Sequence, residues 1–237
     1  ARLDLERYKG LLAKDSIARQ QVDAQEAQVR QLEGTVQTDK ALVDTARPLA
    51  PGEPIAPATP LTIEALGAMS EIALGIWRDT LGTAWAPLQI NLQIRDLPAG
   101  QLAEATITSF DAAGIPIAGT IVVDADANNR GWFFDATPAT GEEFPQAVGT
   151  DAWRATGTAA VGHYDLLSVL LHETAHTLGF TAYDSTFATH LIGDGHGQTH
   201  LVVGGWDVPL SDDRHHIATA FAPFDLLNPT LGLGMRK

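Results

Sequence analysis

Valine recurs every seven residues near the start of the chain, at Val22, Val29, Val36 and Val43, with Leu32 and Ala46 at d positions of the same register. Gln25 and Asp39 interrupt that d seam. The repeat predicts a solvated helical arm over residues 1–47, a coiled coil or hairpin through which copies of the chain can associate. Pro48, Pro51, Pro54, Pro57 and Pro60 follow among small residues and predict an extended, semi-rigid linker over 48–60. From Leu61 the pattern turns globular, which marks residues 61–237 as a folded domain. Ala65, Met69, Ile72, Ala73 and Ile76 keep helical spacing, with Thr59 or Thr62 as N-cap and Pro60 suited to a first turn. Leu88, Ile90, Leu92 and Ile94 alternate as in a half-buried strand. Further strand-like stretches cover 105–110, 117–123 and 131–135. Asp165 then caps a helix that runs through Leu166–Leu171 into His176 and stops at Gly179. The last 58 residues read as mostly irregular. Helix, strands and a second long helix in that order make the domain α+β.

Composition narrows the class. Hydrophobic residues form 45% of the 237, enough for a sizeable core, and no stretch reaches the roughly 18 apolar residues of a membrane span. The opening Ala1-Arg2-Leu3-Asp4 is charged and amphipathic, unlike a signal peptide, and its lack of Met fits a processed chain or one cut from something longer. Cysteine is absent, so any metal must be held by His, Asp or Glu. The net charge of −14 is uneven: residues 1–47 carry eight basic and eight acidic side chains, leaving seven basic and 21 acidic for 48–237. Such a surface repels phosphate backbones, which argues against a nucleic-acid partner and suits a secreted or calcium-rich setting.

His172 and His176 lie four apart, so on a helix both imidazoles project from one face and can share one ion. Glu173 stands beside them, where its carboxylate can take a proton from an activated water. The alternative is a buried helix whose histidines satisfy core hydrogen bonds. Gly179, three residues after His176, argues against it, because a sharp turn there brings further chain under the metal. A catalytic zinc needs three protein ligands and an open position. Ala182 stands where the HExxHxxGxxH spacing puts the third ligand, so that ligand must come from Asp184, His190, His196, His200, His215 or His216. His196 and His200 belong to a Gly-rich stretch that reads as surface loop, His190 as a packed or rim residue and His163 as a loop residue. Tyr183 can steady a tetrahedral intermediate or serve as a rim tyrosine. Asp124, Asp126, Asn128 and Asp135 fall at positions 1, 3, 5 and 12 of an EF-hand-type calcium loop. Asn129 at the turn-glycine position, Asp135 in place of Glu and the strand-like flanks favour an acidic hairpin instead.

Two resemblances extend this reading. Arg7-Tyr8-Lys9-Gly10-Leu11-Leu12-Ala13-Lys14-Asp15-Ser16-Ile17, followed by Arg19–Ala24, resembles the hairpin tip and return helix of periplasmic adaptor (membrane fusion) proteins of efflux pumps. The lipoyl-like and barrel domains that flank that hairpin in the family are missing, so efflux function is not carried over. His172-Glu173-Thr174-Ala175-His176-Thr177-Leu178-Gly179-Phe180, with Asp212–Ile217 and Asp225-Leu226-Leu227-Asn228-Pro229 downstream, resembles the matrixin-like and leishmanolysin-like metzincins of large bacterial surface proteins. That likeness covers most of 61–237. It implies a mixed β-sheet, an active-site helix and an irregular C-terminal part, with a third His nine residues before Asp225, at His216, and His215 as the alternative ligand. It also implies that Leu227 replaces the methionine of the turn beneath the metal, and that Gly131, Trp132 and Phe133 belong to the strand beside the substrate cleft. The expected function is zinc-dependent peptide hydrolysis, with Zn2+ on His172, His176 and His216, Glu173 as general base, and an extended polypeptide substrate paired to an edge strand. The rivals are a non-catalytic metal-binding surface or adhesion module, and an adaptor or oligomerisation element acting through 1–47. The expected location is extracellular or at the bacterial cell surface, with the periplasm as the alternative.

Overall fold

Thr62 accepts a hydrogen bond from the Ala65 N–H and thereby starts helix α1, Ile63–Leu81, which ends where Gly82 takes a positive φ of 53°. The computed structural model describes residues 60–138 and 140–237. The predicted arm over 1–47 and all but the last residue of the predicted linker lie outside the described residues. Leu66, Met69 and Ala73 line the buried face of α1, at the spacing that predicts the helix.

Three strands follow, β1 (Gln89–Arg95), β2 (Ala103–Phe110) and β3 (Pro116–Asp124), in the spatial order β1-β3-β2. β1 runs parallel to β3 and β2 antiparallel to it, so the sheet is mixed. β3 is central, and Ile121, Val122, Val123 and Asp124 are all buried, as a strand covered on both faces requires. β2 alternates half-buried and exposed positions along its length, the pattern of a strand with one wet face.

Helix α2, Leu166–Thr177, packs on β2, β3 and α1. Of its 12 residues, all but His172 and His176 are buried. Two contacts set its position. Gly119 of β3 admits Thr177 so closely that a Cβ there would sit 2.7 Å from Thr177 Cγ2. Trp77 of α1 donates its indole N–H to the Leu171 carbonyl at 3.0 Å. The common core joins Leu66, Met69, Ile121, Val123, Leu166 and Leu170.

Small sheets complete the unit. β4 (Trp132–Phe133) pairs in parallel with β7 (Tyr164–Asp165), which leads straight into α2. β5 (Gln146–Ala147) and β11 (Met235–Arg236) flank β6 (Trp153–Arg154). After α2 come a single helical turn α3 (Ser185–Ala188) and a meander of β8 (Leu191–Gly193), β9 (Thr199–Val203) and β10 (Trp206–Pro209). The C-terminal part is therefore more regular than its Gly-rich sequence predicts. The strand expected over 131–135 is shorter than its pattern, because the Asp135 carboxylate turns to the Thr137 N–H and Arg236. The described residues form a mixed α and β fold with few helices, several small sheets and no barrel, and no helix among them is long and apolar enough to cross a membrane.

Arg236 ties these parts to the start of α2. Its guanidinium grips Asp165 with Nε at 3.0 Å and Nη2 at 2.8 Å, reaches Asp135 with Nη1, and lies 4.3 Å over the Phe144 ring. Asp165 also caps α2, accepting the Ser168 N–H at 3.1 Å and its hydroxyl at 2.7 Å. Both carboxylates are buried, so the bidentate arginine balances charges that would otherwise be costly to enclose.

Candidate metal centre

The two half-buried positions of α2 point one way, and a loop 40 residues further on meets them. Nε2 of His172 lies 3.0 Å from Nε2 of His176 and 3.1 Å from Nε2 of His216, and the last two are 3.3 Å apart. These are the three residues, among those described, whose ligand atoms converge as a metal requires.

Their tautomers follow from the opposite ring nitrogens. His172 Nδ1 lies 2.7 Å from the Leu226 carbonyl oxygen and His176 Nδ1 2.7 Å from that of Phe180. His216 Nδ1 lies 2.7 Å from Oδ2 of Asp213. A carbonyl or carboxylate can only accept, so each Nδ1 carries the hydrogen. Each Nε2 of a neutral ring then presents a lone pair, and the three short N···N approaches are not hydrogen bonds. Three converging lone pairs repel unless a cation lies among them. Tetrahedral zinc with bonds of about 2.0–2.1 Å would hold its nitrogens roughly 3.3–3.4 Å apart, close to the spacing here. Imidazoles held through Nδ1–H to oxygen are also the usual outer support of a metal site. The residues present fit the ion.

Local backbone explains each support. After α2, the Gly179 N–H reaches the His176 carbonyl and the Phe180 N–H the Ala175 carbonyl at 3.0 Å, with Gly179 at φ 107°, which closes the helix in a Schellman turn. That turn carries the Phe180 carbonyl back to His176, rather than delivering a ligand. Asp213 Oδ1 accepts the N–H groups of His215 and His216, which fixes the loop, while its Oδ2 holds the His216 ring. Burial works to raise the Asp213 pKa, and the hydrogen bonds from His215 and His216 outweigh it, so the carboxyl stays below its ordinary value. The Ile217 N–H donates to the Leu227 carbonyl at 2.9 Å, joining this loop to the Asp225–Pro229 turn. Leu227 itself is buried, and its neighbour Leu226 supplies the oxygen that orients His172.

Burial sets the protonation. Desolvation, with His176 adding to it, drives the His172 pKa down to about 3; desolvation drives His176 to about 4. Both rings are neutral near neutral pH. Glu173 is buried beside them, and desolvation, assisted by Glu104, lifts its pKa to about 8. Two cavities flank the imidazoles, and both include Glu173 and His216. One of about 600 Å³ opens on the His172 side toward Leu226, Asn228 and Arg130. The other, about 410 Å³, opens on the His176 side along β2, from Ala103 to Ile107, with Tyr183 and His215.

Other expected residues lie elsewhere. His215 turns away from the triad: its Nδ1 meets the Thr181 hydroxyl at 3.0 Å and the Ala182 N–H at 3.2 Å, under the exposed ring of Tyr183. Asp184 caps α3. His200 pairs with Asp207, His196 lies in the β8–β9 turn, and His190 lines a small cavity near Gly179. Gly131, Trp132 and Phe133 are buried and line neither flanking cavity. Trp132 gives its indole N–H to the Asp124 carbonyl, and Phe133 packs edge-on against Phe144. The strand beside the triad is β2 instead. The calcium-loop reading also fails on geometry. Asp124 accepts the N–H groups of Leu97 and Asn128, Asp126 that of Asn129, and Asp135 binds Arg236, so these oxygens serve the turn and do not converge. Asp213, the carbonyls of Phe180 and Leu226, and Arg236 were not apparent from the sequence. Asp213, three residues before His216, was the one available signal; backbone carbonyls leave none.

Comparison with known proteins bears on the N-terminal part. The family described as RND MFP, alpha-helical hairpin domain, matches residues 1–48. The adaptor-hairpin resemblance thus extends over that whole segment. No curated protein and no solved structure matches the chain.

Proposed function

We propose that residues 61–237 form a metzincin-like, zinc-dependent peptidase domain. One observation carries the reading: three Nε2 lone pairs converge within 3.3 Å, each ring oriented through Nδ1, with the carboxylate of Glu173 adjacent. His172, His176 and His216 would hold the ion. Zinc bound there supplies a Lewis acid that polarises a carbonyl and acidifies water toward a pKa of about 7. Glu173 removes the proton from the attacking water and delivers it to the amide nitrogen as the C–N bond breaks, so that the acyl carbon gains the hydroxyl. Edge strand β2 runs alongside, and an extended peptide added to it would pass Glu173 and the imidazoles.

Bound zinc and casein or peptide hydrolysis, measured for the wild type and Glu173→Ala, test this. Zinc kept with hydrolysis lost in the variant supports the peptidase. Zinc bound without hydrolysis in either protein favours a non-catalytic binding module.

The match at residues 1–48 favours a second role for that segment, docking to a partner or self-association, in the bacterial periplasm or envelope. An extracellular or cell-surface position is the further expectation that the metzincin likeness adds.

A further inference from the structure

The larger cavity beside the imidazoles reverses the charge balance of the molecule. Residues 48–237 hold seven basic and 21 acidic side chains. Among the side chains that line this cavity there are two cations, Arg130 and Lys237, and a single acidic group, Glu173. Arg130 is exposed and, among the described residues, has no carboxylate within 4.0 Å of its guanidinium. Lys237 is half-buried and held in place: its backbone N–H donates to Ser168 Oγ at 2.9 Å, in the first turn of α2. Its Nζ gives one hydrogen to the Thr230 carbonyl at 2.6 Å, which leaves two donors free. Burial lowers the Lys237 pKa, and Asp225, outside the lining and with Oδ1 taken by the Leu227 N–H, works the other way. Asn128 is spent at both ends of its amide, on Gly100 and Gln101. The wall thus offers two cationic side-chain donors on the same side as His172 and Glu173.

We propose that this cavity receives an acidic side chain, Asp or Glu, of the bound peptide, held by Arg130 and Lys237 next to the bond on which Glu173 acts. The inference rests on the peptidase reading for the presence of a peptide. A carboxylate would take charge-assisted hydrogen bonds from both cations, whereas a neutral isostere would leave them underused.

Binding separates this inference from catalysis. Zinc-loaded Glu173→Gln protein is titrated with fluorescein-labelled octapeptides in which one Glu, Gln or Lys is walked through the four central positions. At one position the Glu peptide is expected to bind about tenfold tighter than its Gln counterpart, with Lys weakest. In Glu173→Gln that also carries Arg130→Gln and Lys237→Gln, that preference should fall below about twofold, with zinc content unchanged as the check on folding. Equal affinity of Glu and Gln peptides at every position, a preference that survives removal of both cations, or no measurable binding of any peptide overturns the proposal. A Glu preference that depends on the two cations, in a protein whose wild type cleaves nothing, would leave the pocket standing and sink the peptidase.

Discussion

His216 and His215 are adjacent and chemically alike, yet the loop sends their side chains to different partners. His216 joins the triad, while His215 goes to Thr181 and Ala182. His216→Ala should therefore lower zinc affinity by at least about 100-fold, more than the 10–100-fold typical of losing an outer-shell partner. His215→Ala should change it little; the reverse order in a competition titration against a chelator would reject the assignment. The zinc-free protein should also show a pH optimum of stability. His172 and His176 fall from the usual 6.5 to about 3 and about 4, so the folded state binds fewer protons than the unfolded chain below pH 6.5, and stability is lost as pH falls through that window. Glu173 is raised from 4.5 to about 8, so its contribution is present at low pH and is lost as pH rises through 8. Two groups against one give net gain up to about pH 6.5 and loss above it. Urea unfolding of chelator-treated protein should peak near pH 6.5, and a steady rise from pH 5 to 9 would contradict the protonation scheme. His172, Glu173 and His176 are readable in the sequence because their relation is local to one helical turn. The third histidine of the triad is set by a loop 40 residues away, so helix spacing leaves it open and the resemblance alone pointed to His216; the orienting carbonyls of Phe180 and Leu226 belong to the backbone, which every residue shares.

Helix α2 works as a site because it is locked from several directions. Asp165 and Arg236 hold its start, the Gly179 turn ends it, and Gly119 lets Thr177 press against the sheet. Gly119→Ala would put a Cβ 2.7 Å from Thr177 Cγ2 and 3.1 Å from the Thr106 carbonyl. The added methyl should cost about 1–3 kcal/mol by denaturant unfolding; an unchanged midpoint would show that the helix has room to move. The helix itself was legible from its Asp cap, its Leu-rich run and its Gly stop, as were β1 to β3 from alternation or continuous apolar runs. Strands β8 to β10 were not. At three to five residues each, among glycines, they are too short to print a period of two. Gly131–Phe133 misled in another way: a Trp-Phe pair reads equally well as cleft wall or core, and here the Trp132 indole is satisfied by a buried carbonyl.

Over the whole folded domain, an acidic chain encloses a cluster of three imidazoles, with a cationic wall on one side and an edge strand on the other. Acidity at the surface and cations at one cavity suit an enzyme that sorts peptides by charge near the scissile bond, within the proposed function. Residues 1–48 match the hairpin family, a likeness that Arg7–Ile17 and Arg19–Ala24 carry in the sequence. The central claim is that one zinc ion, held by His172, His176 and His216, makes this domain a peptidase. It is tested most directly by adding zinc stepwise to chelator-treated protein while following hydrolysis of a peptide substrate. The rate should climb with zinc and saturate at one equivalent; hydrolysis absent at every ratio, or undiminished without zinc, would rule out a zinc peptidase.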